Sequence, residues 1–390
     1  MNLTDSIGQH FIRLFGENPI IVRSPGRINL IGEHTDYNDG YVLPAAIEKA
    51  LYFACMPSGS KACRIVAHDL NDEHRFTVDQ PRPSPKGWPN YILGIVDQLM
   101  KAGHSAGGFN CVFGGDIPIG AGLSSSAALG AGCAVALRSM FELSLDDLSL
   151  VRLAQRSENE FVGVQCGIMD QYINIFGKNG KVLRIDCRAL KHETFSFDHP
   201  VAIVLFNTKV SHSLASSEYN ARREECARGV AAVQRGHAGV THLRDVSLEM
   251  LEAVRKTVGE TIYRRCHFVV EENNRVLAAC RALEQSDVAG FGRLLYESHE
   301  GLSHDYEVSC PELDALVESV RNLPEVYGGR MMGGGFGGCT INLVKPEAVE
   351  RVTNTVIGQY RQKFGKDPEV YVTTIGSGTE VVQMGHHAKA

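Results

Sequence analysis

The stretch GGDIPIGAGLSSSAALGAG, residues 114–132, follows an apolar, alternating run at 109–113 and leads into an Ala/Leu-rich segment that ends near Phe141. Its order is strand, glycine-serine loop, helix start. A helix start presents unpaired backbone N–H groups and a partial positive charge, and glycines let the backbone come close to a ligand, so such a loop suits phosphate. Ser124, Ser125 and Ser126 add hydroxyls, at least one of them placed to cap the helix. No Gly-Lys-Ser/Thr follows, which excludes a Walker A loop, and Ser125 stands where a dinucleotide fingerprint needs its third glycine. A capped helix start without a ligand is the alternative.

Upstream, PGRINLIGEHTDYNDGYVLP, residues 25–44, crowds Arg27, Asn29, Glu33, His34, Asp36, Asn38 and Asp39 among Ile28, Leu30, Ile31 and Val42. Desolvated carboxylates, an imidazole and a guanidinium cost free energy unless each finds a partner, and a hydroxyl-rich ligand offers many. A loop that bonds only to itself is the rival. A calcium loop is excluded by spacing, since Gly40 and Ile47 fall where an EF-hand needs an Asx side chain and a glutamate.

Downstream, GGRMMGGGFGGCTINLV, residues 328–344, matches G-x-G-x-x-G in Gly333, Gly335 and Gly338, but an apolar strand follows instead of a helix. The glycines at 333–338 fit backbone lying against a ligand or another loop, with a flexible linker as the alternative.

The chain has 390 residues, 44% of them hydrophobic, enough for a sizeable core, and two domains are expected rather than one. A net charge of −6 argues against a general nucleic-acid or anionic-membrane surface. Aliphatic runs such as 201–206 fall far short of the ~20 residues of a membrane span, and no basic-then-apolar leader opens the chain, so a cytoplasmic protein is expected. The eleven cysteines include no C-x-x-C pair and no zinc-like spacing, so reduced, mostly buried thiols are expected, with Cys166 and Cys339 beside the site.

Strand-like runs at 20–24, 51–56, 64–68, 109–113 and 181–186 alternate irregularly with helical stretches, an α+β pattern. Beyond a strand at 201–207, helices are expected at 218–235, 264–284, 312–322 and 347–364, with strands at 340–344 and 370–374. The domain boundary falls between residues 188 and 200, giving domains 1–195 and 196–390. The closing GHHAKA reads as a loose tail. In a helix expected over 146–162, Leu150, Ala154, Ser157 and Phe161 share a face at ~100° per residue, and Glu158 lies ~60° from its centre. An acid at that edge pairs with a cation of the protein or holds a metal. Asp170, in the otherwise apolar CGIMDQ, is a second acid that needs a reason. Arg222 and Arg223 read as a solvated helix face.

Together the three segments, with SENEFVGVQCGIMDQ (157–171) and SSEYNARREEC (216–226), resemble the GHMP small-molecule kinases over nearly the whole chain; the 25–44 motif is similar to the galactokinase signature within that family. The resemblance implies an N-terminal domain like ribosomal protein S5 domain 2, a ferredoxin-like C-terminal domain and an active site in the cleft between them. It implies galactose and ATP as substrates with Mg²⁺ required. Asp170 would be the catalytic base and Arg27 its partner, with Ser126 and Glu158 holding Mg²⁺. Glu33, His34, Asp36, Gly167 and Tyr219 would bind the sugar. The ATP phosphates would lie on Gly120, Gly122, Leu123, Ser124, Ser125 and Ser126, and Trp88 matches an aromatic position near the adenine, with a packing anchor as the equal alternative. A kinase of N-acetylgalactosamine and a galactose- and ATP-binding regulator stay open as rivals, the second disfavoured by the Ser126-Ala127 pair and Asp170. Monomer is the default.

Overall fold

A computed structural model describes residues 2–210 and 215–384; the GHHAKA tail lies outside the described residues. The strands in chain order are β1 (Ile20–Asn29), β2 (Tyr41–Val42), β3 (Pro44–Pro57), β4 (Ala62–Ala67), β5 (Asp72–Thr77), β6 (Phe109–Gly115), β7 (Lys181–Asp186), β8 (Lys191–Ser196), β9 (Ala202–Asn207), β10 (Val326–Met331), β11 (Cys339–Val344), β12 (Glu369–Thr373) and β13 (Glu380–Gln383). They form a six-stranded sheet in the order β13-β1-β3-β6-β4-β5, a four-stranded sheet β10-β11-β9-β12 and a three-stranded sheet β2-β7-β8.

In the six-stranded sheet only β4 and β6 run parallel. The helix Ser125–Met140 packs on β1 and β3 and is buried along nearly its whole length. Its Ala- and Gly-rich sequence permits this, because small side chains let a helix lie close to a sheet. The strand expected at 20–24 continues to Asn29, and its pairing with β3 shifts register between Pro25 and Arg27. Such a bulge re-aims the side chain beside it, here Arg27.

The four-stranded sheet is antiparallel throughout. Helices fill the connection from β9 to β10, and the helix Val349–Phe364 connects β11 to β12, so the chain follows a ferredoxin-like β-α-β-β-α-β path. The expected helices appear as Ala215–Gln234, Glu260–Glu284 and Pro311–Arg321, each within a few residues. Those at Leu248–Val258 and Val288–Glu300 carry no mark that sequence reading singled out.

One apolar core joins the two sheets: Ile28, Leu43 and Ile47 pack in the same cluster as Leu205, Ile341 and Met332. The expected boundary between 195 and 196 falls before Ser196, the last residue of β8, and β13, beyond it, rejoins the first sheet. Among the described residues, no helix is long and apolar enough to cross a membrane.

Candidate active site

A cleft of about 360 Å³ opens between the two halves. From the N-terminal half it is lined by Arg27, Glu33, His34, Asp36, Ser126, Glu158, Gly167 and Asp170; Tyr219, Asn220, Gly333 and Gly334 close it from the other side.

The bulge in β1 turns Arg27 toward the glycine-serine loop. The Arg27 backbone N–H donates to Leu123 O (3.1 Å), and its Nη1 donates to Gly122 O. Its Nε and Nη2 grip Asp170 at both carboxylate oxygens (2.9 and 3.0 Å). Burial opposes the Arg27 charge, but Asp170 and then Glu33 outweigh it, so the guanidinium is held above its ordinary pKa. The Ser124 hydroxyl also donates to Asp170 Oδ2. Ser124 occupies the cap position in a left-handed conformation (φ 61°) and makes no capping bond to the helix. The expected serine cap at that position therefore does not form, because the hydroxyl is committed to Asp170.

Glu158 sits on a wider helical turn than its sequence suggests. The helix Asp147–Arg156 passes into a π-helix at Ser157–Val162, a distortion frequent at functional sites. Ser157 and Glu158 turn inward, and Phe161 is only half-buried. Glu158 is 6% exposed; its Oε2 accepts from Gln171 Nε2 (2.7 Å) and Cys166 Sγ (3.2 Å), and its Oε1 has no hydrogen-bond partner. Burial pushes its pKa up, against the Cys166 bond and the nearby Ser126 hydroxyl, both of which favour the carboxylate. A buried carboxylate with an orphaned oxygen and a hydroxyl beside it fits a divalent cation that keeps most of its ligands from water and phosphate. Among the described residues, no cluster of three or more His, Cys, Asp or Glu forms a metal site.

On the other wall, Glu33 Oε1 accepts from Arg330 Nη2 (3.0 Å) and from the Gly333 N–H (2.8 Å). Arg330 is wholly buried and also donates to the carbonyls of Asn29, Leu30 and Met331. The glycine run thus lies against the 25–44 segment, as its composition suggested. At Gly335 the backbone is left-handed (φ 86°) and a Cβ would strike the Val308 carbonyl, so only glycine fits.

Asp36 is half-buried against Gly167, and its Oδ1 accepts from the Tyr37 N–H (3.0 Å). Burial, and then the charge of Asp170, push its pKa up to about 6. Burial and Arg222 push His34 down to about 3.

The remaining predicted residues lie elsewhere. Gly120 and Gly122 are exposed with positive φ (77° and 73°), Leu123 is buried beneath them, and Ser125 begins the helix. None of these lines the cleft. Trp88 is also outside it: its Nε1 donates to Asp72 Oδ2 (3.0 Å) and its ring packs on Phe113 at 5.4 Å. Cys166 lines the cleft, whereas Cys339 is buried in β11. Arg222 is not on a solvated face. It is 7% exposed, with Nε donating to Tyr306 O (2.7 Å) and Nη2 to Glu307 O (2.8 Å), because the helix Ala215–Gln234 packs over residues 301–308. Sequence reasoning passed over Arg330 and Asn220. Arg330 had a signal, a lone cation inside an otherwise apolar strand.

The architecture and its cleft are those of a GHMP kinase: the family model for the GHMP kinases N terminal domain matches residues 90–178, and that for the GHMP kinases C terminal matches 279–362. A third, the galactokinase galactose-binding signature, matches residues 9–57. The chain is 43% identical over 376 residues to a galactokinase of Roseiflexus sp. (strain RS-1), covering 96% of each protein. The chain belongs to the galactokinase family. Among solved structures, it superposes on Lactococcus lactis galactokinase complexed with galactose with a TM-score of 0.94 at 35% identity, covering 98% of this chain and 100% of that one. Methanococcus jannaschii mevalonate kinase shares the fold at 18% identity, with a TM-score of 0.65 over 92% of this chain and 98% of that one.

Proposed function

We propose that this chain transfers the γ-phosphoryl group of ATP to the C1 hydroxyl of galactose, giving galactose 1-phosphate and ADP. The observation that carries this is the Arg27–Asp170 pair at one side of a cleft whose other walls hold Glu33, His34 and Asp36. Phosphoryl transfer asks a protein chiefly to position the reactants and to neutralise charge, while a carboxylate accepts the proton of the attacking hydroxyl. Asp170 is that base. Arg27 holds both its oxygens, which aims the carboxylate, and brings positive charge to the phosphoryl group. The free N–H groups at the start of the helix Ser125–Met140 receive the phosphates.

Ser126 and Glu158 would hold Mg²⁺, which supplies charge neutralisation on the phosphates when bound. Eleven free thiols suit a reducing compartment, and we place the enzyme in the cytoplasm.

The test is ADP release from Mg·ATP with galactose, N-acetylgalactosamine, glucose, mevalonate and homoserine. Turnover is expected with galactose above the others. Turnover on another member of the panel, with none on galactose, would overturn the assignment of the sugar-facing wall.

A further inference from the structure

His34 forms part of the cleft wall, 5% exposed and with a left-handed backbone (φ 62°). Its Nδ1 lies 2.8 Å from the Tyr37 hydroxyl, which lies 2.8 Å from the Tyr306 hydroxyl, which in turn stands 3.3 Å from Cys226 Sγ. These groups make one chain of hydrogen bonds leading away from the cleft into the protein. Tyr306 and Cys226 are 0% and 2% exposed, so water does not replace any member at its far end. The other ring nitrogen of His34, Nε2, is buried and makes no hydrogen bond of ordinary length in the protein, although the Gly334 backbone beside the ring favours a proton there.

Each hydroxyl owns a single proton, so the chain runs in one of two directions. Running outward, His34 Nδ1–H donates to Tyr37, Tyr37 to Tyr306, and Tyr306 spends its proton on a thiol sulfur, a weak acceptor. Running inward, the weak S–H donor comes first, both phenols donate to good acceptors, and the chain ends on the lone pair of Nδ1. The inward direction makes the stronger set of bonds, and in a buried site with no competing water that difference decides.

We infer that the Tyr306–Tyr37 chain fixes His34 as the neutral tautomer with its proton on Nε2, so that residue 34 offers the cleft an N–H donor and requires an acceptor oxygen from the ligand. Tyr37 and Tyr306 are positioning residues, acting through His34. The consequence for recognition rests on the sugar reading proposed above. A hydroxyl both donates and accepts; one that faces Nε2–H must accept there, which leaves its own proton for a neighbouring carboxylate such as Asp36. A sugar lacking that hydroxyl leaves Nε2–H buried and unpaired, a strong basis for discrimination. The depressed pKa of the ring keeps the second proton off at neutral pH.

The test uses full-length protein labelled with ¹⁵N-histidine and free of ligands. A two-bond ¹H–¹⁵N correlation spectrum reports which nitrogen carries the proton, and the His34 signals are those lost in His34→Gln. A protonated Nε2 with an unprotonated Nδ1 is expected; the reverse pattern overturns the inference. Tyr306→Phe keeps the ring, which packs on Phe268 at 4.9 Å, and removes only the hydroxyl. It is expected to give mixed tautomers and to raise the KM for galactose roughly fivefold, the loss of about one neutral hydrogen bond, with kcat little changed. Tyr37→Phe should act in the same direction. A Tyr306→Phe protein with both the His34 spectrum and KM unchanged also overturns the inference. Because the spectrum is taken without ligand, an absence of galactose turnover would remove the proposed activity and leave the tautomer standing, whereas a reversed tautomer would remove this inference with the activity intact.

Discussion

The Asp36 carboxylate occupies the space where a side chain on residue 167 would begin: a Cβ on Gly167 would overlap Asp36 Oδ2. Gly167 thus serves the cleft by having nothing there, and Gly167→Ala must displace Asp36 or the backbone that carries Asp170 three residues on. Misplacement of about 1 Å in such a site costs on the order of a hundredfold in kcat/KM. Steady-state kinetics with galactose should show a loss of that size; wild-type values would mean that the close approach has no functional weight.

Asp36 also sets a pH dependence. Its folded pKa of about 6 lies above the ordinary 3.8, so between those values the folded protein holds a proton that the unfolded chain has released. Stability from this group is therefore lost as pH rises from about 4 to 6. Asp36→Asn removes the ionisation, so the Tm of the variant relative to wild type should climb across that window in ligand-free protein. A constant difference would contradict the raised pKa.

Asp170→Asn keeps the shape of the side chain and removes the base. General-base catalysis contributes about 10²–10⁴-fold, so kcat should fall by at least ~10² while the KM for galactose moves little. Arg27→Lys should lower kcat as well, since one ammonium cannot grip both carboxylate oxygens. Near-normal turnover by Asp170→Asn would sink the proposed mechanism.

Glu158→Gln separates the metal role from stability. Replacing a buried carboxylate that has an unpartnered oxygen and a raised pKa by an amide should leave the ligand-free Tm unchanged or slightly higher. Mg²⁺-dependent ADP release should meanwhile fall by at least ~10². A large drop in Tm, with activity merely following the folded fraction, would make Glu158 structural.

Arg330→Met leaves the Glu33 carboxylate and the carbonyls of Asn29 and Leu30 without their cation. Breaking a buried pair from one side costs about 3–5 kcal/mol, and urea unfolding should report a loss near that range. Adding Glu33→Gln should recover part of it. A loss below ~1 kcal/mol would show that the pair is not needed to join the 25–44 segment to the glycine run.

The sequence by itself determined what dihedral preference and periodicity control within a few residues. The strand-loop-helix order at 109–140, β7 at 181–186 and the helix ending at Phe364 follow from such local rules, as does the crowding of polar groups at 25–44. The roles carried over to Asp170, Glu158 and Glu33 came from resemblance, and local chemistry marked only that these acids need partners. Which partner each takes was decided by tertiary structure. Arg27 meets Asp170 across 143 residues and Glu33 meets Arg330 across 297, and no local pattern encodes a contact at such separations. Packing likewise buried Arg222, which its charge alone placed on a solvated helix face, and drew the Ser124 hydroxyl from its own helix to Asp170. It opened the helical turn at Ser157 and brought β13 back to β1. The reason is the same in each case: a polar group removed from water must find its partner in whatever the fold places beside it, and that neighbour exists only once the two halves of the chain have closed on each other.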